Sequence, residues 1–336
     1  METTTFFRLL KTPIDDKGEA LAAQIVALNA TGQAEETFSL DPADFSQISG
    51  SPFAYWASYL MDAATAFPTL EPEFGRVIRG PEVHDLKQSV RMWTEVPPEL
   101  ISIEARWADY AKGGELKPYA PDVHLVVDFG SARDGSVPFR RPGDDADYFH
   151  SGLTYTQRTT SRLTLRVMNS GCLTSPKGPG IIPSKPQWLW YLMAVANSIL
   201  FQQFIDLKVG AADAAARSYD LNILRDAPVP IPEEDIRRRI ERHVRNALDL
   251  VQSPDASNET SHAFSLPSLL CLPHDTLLET SLALEAKAFT GQSRLAAIQA
   301  EIDDFVFDLY GLDEADRALV RAEMGVGHGD TESTEE

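Results

Sequence analysis

The sequence predicts an α+β protein: a small β-rich region enclosing one buried helix, followed by a helical C-terminal tail. Three observations predict this class. The segments LISIEARWADY, HLVVDFG, LTYTQRTT and SRLTLRVM, all between residues 100 and 168, alternate apolar and polar side chains and read as strands. The stretch from Trp188 to about Val209 is too apolar for a surface helix and too polar for a membrane span, because Asn197, Ser198, Gln202 and Gln203 interrupt it. Beyond residue 233, apolar side chains recur at helical spacing, with Ile236, Ile240, Val244, Leu248 and Val251 forming one stripe.

Taken in order, TTFFRLL reads as a strand and KGEALAAQIVALNATG as a helix stopped by glycine. The strand needs a sheet to join, and nothing before it supplies one. A Gly-Ser-Pro turn at Gly50, Ser51 and Pro52 precedes an aromatic helical run from Phe53 to Phe67. Gly113 and Gly114 mark a reversal between the first two strands of the β-rich region. In the next pair of strands, alternation places Arg162, Thr164 and Arg166 on one face and Leu163, Leu165 and Val167 on the other. SPKGPGIIPSK is a stiff loop that lacks the spacing of a phosphate loop. A proline-rich stop, Pro228 to Pro232, precedes a helix over 233–252, and a polar linker leads to a second long helix over 275–309 and a short one over 313–324. Four regions are expected: 1–50, 51–232, 233–325, and a disordered acidic tail at 326–336.

Charge singles out one stretch. The 336-residue chain carries a net charge of −20, yet residues 148–205 contain no Asp or Glu and five cations: Arg158, Arg162, Arg166, Lys177 and Lys185. By contrast, residues 1–147 hold 13 basic and 24 acidic side chains, and residues 206–336 hold 12 and 26. An island of positive charge attracts a polyanion locally even on an acidic protein. Tyr155, Gln157, Thr159 and Thr160 add hydrogen-bonding and stacking side chains, and Lys112, near Trp107, Tyr110 and Tyr119, offers a further cation beside aromatic faces. The bland alternative is a buried strand-helix unit that simply avoids carboxylates. The overall charge argues against a general nucleic-acid coat or an anionic membrane surface as the main partner.

Catalytic patterns are missing from the sequence. Seven histidines are scattered without metal-ligand spacing, and there is no nucleophile elbow and no glycine-rich dinucleotide turn. Cys172 and Cys271 stand about a hundred positions apart, so no disulfide framework is implied and a reduced, cytoplasmic setting is expected. The N-terminus lacks the basic and apolar regions of a signal peptide.

Four segments resemble, in the same order, the C-terminal, target-recognition half of BREX/PglX-type and type IIG-like adenine-specific DNA methyltransferases. TTFFRLL with GSPFAYWAS is similar to the end of the family's methyltransferase domain and the start of its specificity region. WADYAKGGELKPY is similar to its Tyr-Ala-Lys-Gly-Gly-Glu hairpin. YFHSGLTYTQRTTSRLTLRVMNSGCLTSPKGPGIIP and the helix after it are similar to the central segment, and EIDDFVFDLYGLDEADRALV resembles the closing helix pair. RVIRGPEVHDLKQSVRMWTEV keeps only the end of the pattern the family shows there. The resemblance runs from about Thr5 to Met324.

The resemblance implies a terminal strand-helix piece of a methyltransferase sheet at 1–50, a target-recognition domain at 51–232 and a helical tail. The family's S-adenosylmethionine-binding turn and its Asn/Asp-Pro-Pro-Tyr/Phe tetrapeptide do not occur in this sequence. The implied function is therefore DNA target recognition for a split or truncated N6-adenine methyltransferase of a phage-defence or restriction-modification system. Catalytic core and S-adenosylmethionine would then reside on a partner chain. Expected partners are double-stranded DNA and a methyltransferase-core subunit or other defence-system proteins, with no membrane. Arg158, Arg162, Arg166, Lys177 and Lys185 are expected at phosphates or guanine edges. The alternatives are a regulatory or interaction subunit that binds no DNA, and a nonfunctional remnant.

Overall fold

The computed structural model describes residues 3–9, 12–35, 37–47, 55–114, 117–120, 123–209, 217–271 and 276–327. The chain divides into two compact units, Met1–Pro68 and Thr69–Glu336. In the first, strand β1 (Thr4–Phe7) leads through helix α1 (Lys17–Thr31) to β2 (Thr37–Leu40), which pairs with it antiparallel, Thr4 opposite Leu40. The sheet that β1 needs is thus supplied downstream, by TFSL. Helix α1 stops where Gly32, at φ +75°, returns its N–H to the Leu28 carbonyl. Helix α2 (Ser58–Ala66) covers part of the expected aromatic run, while Phe53, at the start of that run, lies outside the described residues. Phe6 stacks on Tyr55 at 4.8 Å, which joins the strand pair to the aromatic segment.

The second unit opens with a short turn α3 (Leu70–Glu73) and contains two four-stranded sheets. One comprises β3 (Gly75–Ile78), β11 (Gly180–Pro183), β7 (Gly152–Tyr155) and β9 (Leu165–Met168), in that order and antiparallel throughout. Gly152 allows the close approach of β7 to β11, since a Cβ there would lie 2.4 Å from the Ile181 carbonyl oxygen. The other sheet runs β10 (Cys172–Leu173), β5 (Trp107–Tyr110), β6 (Leu125–Asp128) and β4 (Val90–Met92). The β5–β6 pair is antiparallel, as the Gly113-Gly114 reversal predicts. Short helices α4 (Leu86–Ser89) and α5 (Phe129–Arg133) border this sheet.

Helix α6 (Trp188–Asn197) packs against the first sheet and is buried along most of its length, as its apolar composition requires. No helix among the described residues is long and apolar enough to cross a membrane. The expected single helix over 188–209 is in fact two, because the backbone turns extended at Ser198 (ψ 154°) before α7 (Ile199–Val209) begins. The Ser198 hydroxyl accepts from the Phe201 N–H at 3.3 Å, capping the new helix. A serine inside an apolar run is therefore a helix start here.

Asn197, the last residue of α6, closes the outer edge of β9. Its side-chain oxygen accepts from the Leu165 N–H at 2.9 Å, and its amide donates to the Leu165 and Met193 carbonyls at 3.0 Å each. Tyr119 completes the cover, accepting from Val167 N–H and donating its own N–H to Leu165, both at 3.1 Å.

After the two-residue strand β12 (Arg217–Ser218) and helix α8 (Leu221–Arg225), the tail is helical: α9 (Glu234–Gln252), α10 (Ser268–Cys271), α11 (Leu277–Tyr310) and α12 (Glu314–Gly327). Ile240 and Val244 of the expected stripe are fully buried, as are Ile302, Val306 and Phe307 of α11, which packs on α9. Thr276 starts α11 with a reciprocal cap to Glu279, and Gly311 ends it at φ +72°. Of the expected acidic tail, 328–336 lies outside the described residues.

Candidate nucleic-acid interface

The site is built from three backbone segments that converge at one end of the β7–β11 pair. The first is the tight turn Ser175–Gly178. The Ser175 hydroxyl accepts from the Lys177 N–H at 3.3 Å and the Gly178 N–H at 2.9 Å, while the Gly178 carbonyl accepts from Ser175 N–H at 3.1 Å. This turn presents Lys177 to solvent. Gly178 seats the turn against the second segment: a Cβ there would fall 2.6 Å from both the Ala111 carbonyl oxygen and the Gly113 nitrogen. Lys112, half-buried, lies in that segment. The third segment follows β7. Thr156 bonds Gly114 through its hydroxyl, donating to the carbonyl and accepting from the N–H at 3.1 Å each, and the Gln157 N–H donates to the Lys177 carbonyl at 3.0 Å. Lys112, Gln157, Arg158 and Lys177 thereby share one rim.

A two-stranded ribbon extends this rim. Strand β8 (Arg158–Thr159) leaves the sheet and pairs antiparallel with β12, Arg158 opposite Ser218 and Thr159 opposite Arg217. Gln157 anchors the ribbon, accepting from Tyr219 N–H at 2.7 Å and donating its side-chain amide to Asp220 at 3.2 Å. Arg217 in turn holds the Asp206 carboxylate at 3.0 Å. Arg158 and Thr160 are exposed, and Thr159 is half-buried with its hydroxyl accepting from Ser161 N–H.

The remaining expected residues lie elsewhere. The basic strand face read from alternation is an interior face: Arg166 is 1% exposed, Thr164 is buried, and Leu163, Leu165 and Val167 on the opposite face are buried too. Tyr119 bridges to β9 at Arg166, and the Arg166 guanidinium reaches inward to the Thr156 hydroxyl at 3.3 Å. Tyr155 is fully buried, and burial pushes its phenol above the ordinary tyrosine range, so its ring belongs to the core. Arg162, half-buried, lies on the side of Tyr119 and Asp303, where its charge opposes the larger effect of burial on both. Lys185 is exposed at the opposite end of β11 from Lys177, its carbonyl accepting from the first residue of α6.

The rim holds cations and hydrogen-bonding side chains, a set that binds phosphate and base edges. Among the described residues, no group of three or more His, Cys, Asp or Glu side chains is placed to hold a metal. Cys172 is buried, with its thiol held well above the usual range by desolvation, which makes it a poor nucleophile. Sequence reasoning passed over Arg217 and Ser218, because a two-residue strand is too short to show alternation. Their only signal was a polar pair just after an alanine-rich stretch.

No family model matches the chain. It is 27% identical over 148 residues to the adenine-specific methyltransferase BrxX of Escherichia coli O9:H4 (strain HS), a match covering 41% of this chain and 12% of that protein. Among solved structures, the type IIL restriction-modification enzyme MmeI in complex with DNA aligns with TM-score 0.46 and 12% identity, over 76% of this chain and 36% of MmeI. The type IIG restriction endonuclease BpuSI aligns with TM-score 0.35 and 12% identity, over 92% of this chain and 40% of BpuSI. The chain is thus distantly similar to an adenine-specific methyltransferase and to restriction-modification enzymes, and its matches span well under half the length of each.

Proposed function

We propose that this chain is a DNA target-recognition and positioning part of an N6-adenine-specific DNA methyltransferase from a phage-defence or restriction-modification system. The observation that carries the reading is the convergence of Gln157, Arg158 and Lys177, from the stretch 148–205 that holds no carboxylate, with Lys112 on one rim. The distant similarity to BrxX supplies the reaction class. Lys177 and Lys112 would neutralise backbone phosphates, and Arg158 on its ribbon would reach base edges or phosphate, assisted by Gln157, Thr159 and Thr160. No residue of this chain is assigned to S-adenosylmethionine, which a methyltransferase core outside it would bind.

The test is duplex binding by the full chain, alone and with a co-produced methyltransferase core, at 50 and 200 mM salt, with methyl transfer followed in parallel. Replacing Lys112, Arg158 and Lys177 together by alanine should weaken binding and flatten the slope of log K against log salt by up to about 0.9 for each phosphate no longer neutralised. Lys185→Ala should leave that slope in place. Unchanged affinity and slope in the triple variant would remove the rim from the reading.

A second reading, an interaction subunit that binds no DNA, is favoured by the net charge of −20 and by the exposed apolar side chains of α11. Salt-dependent duplex binding by the assembled protein would exclude it.

A further inference from the structure

The end of the first sheet that carries the rim also carries Arg79. Strand β3 reaches that end beside β11, with Ile78 opposite Gly180, and Gly180 in turn opposite Thr154 of β7. One step further along, the Tyr155 N–H donates to the Pro179 carbonyl at 3.2 Å, the Gln157 N–H donates to the Lys177 carbonyl at 3.0 Å, and Arg79 follows the last residue of β3. Arg79 is exposed and leaves the sheet where Lys177, Gln157 and Arg158 leave it. Gly80 fixes it there: a Cβ on Gly80 would lie 1.9 Å from the carbonyl oxygen of Thr174, the residue before the Ser175–Gly178 turn.

Neighbouring charges are engaged with one another. Arg76, three positions earlier, pairs with Asp147, and Arg140 and Arg141 pair with Glu82 at 3.4 and 3.5 Å. Burial acts first on the Tyr155 phenol, and the charges of Arg79, Asp220 and Arg225 act on it in turn. Of these three, Arg225 binds the Glu71 carboxylate at 3.1 Å and the Val77 carbonyl at 2.9 Å, while Asp220 accepts the Gln157 amide at 3.2 Å. Among the described residues Arg79 forms no ion pair, a property it shares with Lys112, Arg158 and Lys177. An exposed arginine left without a carboxylate on a chain of net charge −20 is available to an anion from outside the chain.

We infer that Arg79 holds a backbone phosphate of the duplex, as a contact additional to those of Lys112, Arg158 and Lys177. The inference rests on the DNA-recognition reading proposed above. Because β11 lies between β3 and β7, Arg79 stands two strand spacings, about 10 Å, across the sheet from β7. Duplex DNA carries one phosphate charge per ~1.7 Å of axis, so Arg79 meets a different phosphate from Arg158, and its share of the salt dependence adds to theirs. A phosphate accepts from a lysine point charge as well as from a guanidinium, so lysine at position 79 should serve where glutamine does not.

Duplex titrations of the full chain with the co-produced methyltransferase core test it, at about 50 and 200 mM salt. Wild type, Arg79→Gln, Arg79→Lys, Lys185→Gln and the Lys112, Arg158 and Lys177 triple alanine variant are compared side by side. Arg79→Gln should flatten the slope of log K against log salt by about 0.9, so that the fourfold rise in salt costs it about 3.5-fold less affinity than it costs the wild type. Arg79→Lys should restore the slope, and Lys185→Gln, an equal change in net charge at the other end of β11, should keep it. The Arg79→Gln effect should be the same on duplexes of unrelated sequence and leave the urea midpoint unmoved, which a structural role would not do. A full slope in Arg79→Gln beside a flattened slope in the triple variant would overturn this inference and leave the proposed function standing. A loss shared by Lys185→Gln would overturn it in favour of bulk charge, and a loss that lysine does not restore would overturn it in favour of a base-edge contact. A wild-type complex without salt-dependent duplex binding would overturn both.

Discussion

The Asp303 carboxylate on α11 accepts the backbone N–H of Ile199, the first residue of α7, at 3.0 Å, and so ties the last long helix to the helix pair beneath the β-rich region. The contact spans 104 positions of sequence. It places a carboxylate at a helix N-terminus, where the helix dipole favours negative charge, but in a buried setting that disfavours it. Burial dominates.

Asp303 accordingly has its pKa raised to about 6, first by desolvation, against the opposing bonds from Ile199 and Gln299 and the charge of Arg162. An acid that ionises less readily in the folded state costs stability as pH rises from its unfolded pKa near 4 to its folded value, and the cost is constant above that. Asp303→Asn keeps an acceptor for Ile199 and removes the charge. It should raise stability at pH 7.5 by up to about 3 kcal/mol, an upper bound from the shift. Denaturant midpoints at pH 4 and 7.5 should show the gain at the higher pH only; an equal change at both would rule out the ionisation account.

Asn197→Ala should destabilise by about 2–4 kcal/mol, since it strands the Leu165 N–H in the interior and removes both side-chain bonds to Leu165 on the β9 edge, with a third to Met193 of α6. Urea unfolding measures it. A loss under about 0.5 kcal/mol would mean that Tyr119 alone holds the edge.

Arg166 and Arg158 should part company although both are arginines of the acid-free stretch. Arg166→Ala empties a fully buried position and is expected to lower the melting temperature by many degrees. Arg158→Ala, at an exposed position, should move it by no more than a degree or two while weakening duplex binding. The opposite ranking in a thermal-shift assay would contradict the burial assigned to them.

Gly178→Ala should cost more DNA affinity than Lys177→Ala. The added methyl meets backbone atoms of Ala111 and Gly113, which cannot rotate away, so the turn must lift off the neighbouring segment and carry Lys177 with it. Binding titrations of the two variants side by side make the comparison.

Local periodicity made much of this fold readable. Alternation located β5, β6, β7 and β9, and the helical stripe located α9 with Ile240 and Val244 inward. Periodicity failed where elements are shorter than a period or depend on distant partners. TFSL became β2 because β1 needed an edge, and β8 and β12 hold two residues each. Arg166 reads as a surface cation by alternation and becomes interior once the Tyr119 segment lies across β9. Composition nominated Lys112, Gln157, Arg158 and Lys177, but their meeting depends on a turn docked by Gly178 against Ala111, a contact between residues far apart in the chain.

The reciprocal cap of Thr276 and Glu279 at one end of α11 and the burial of Ile302 to Phe307 at the other make that helix a ruler. At about 1.5 Å per residue its 34 residues reach roughly 50 Å, more than the width of a small domain. Whatever engages the N-terminal end is held at a set standoff from the anchored end, and in a set azimuth. Removing seven residues from the exposed portion would shorten the reach by about 10 Å while rotating the far end by only about 20°. Removing five would leave a similar length with the exposed Leu278, Leu282 and Phe289 turned by about 140°. Length and heading can therefore be varied independently in this chain.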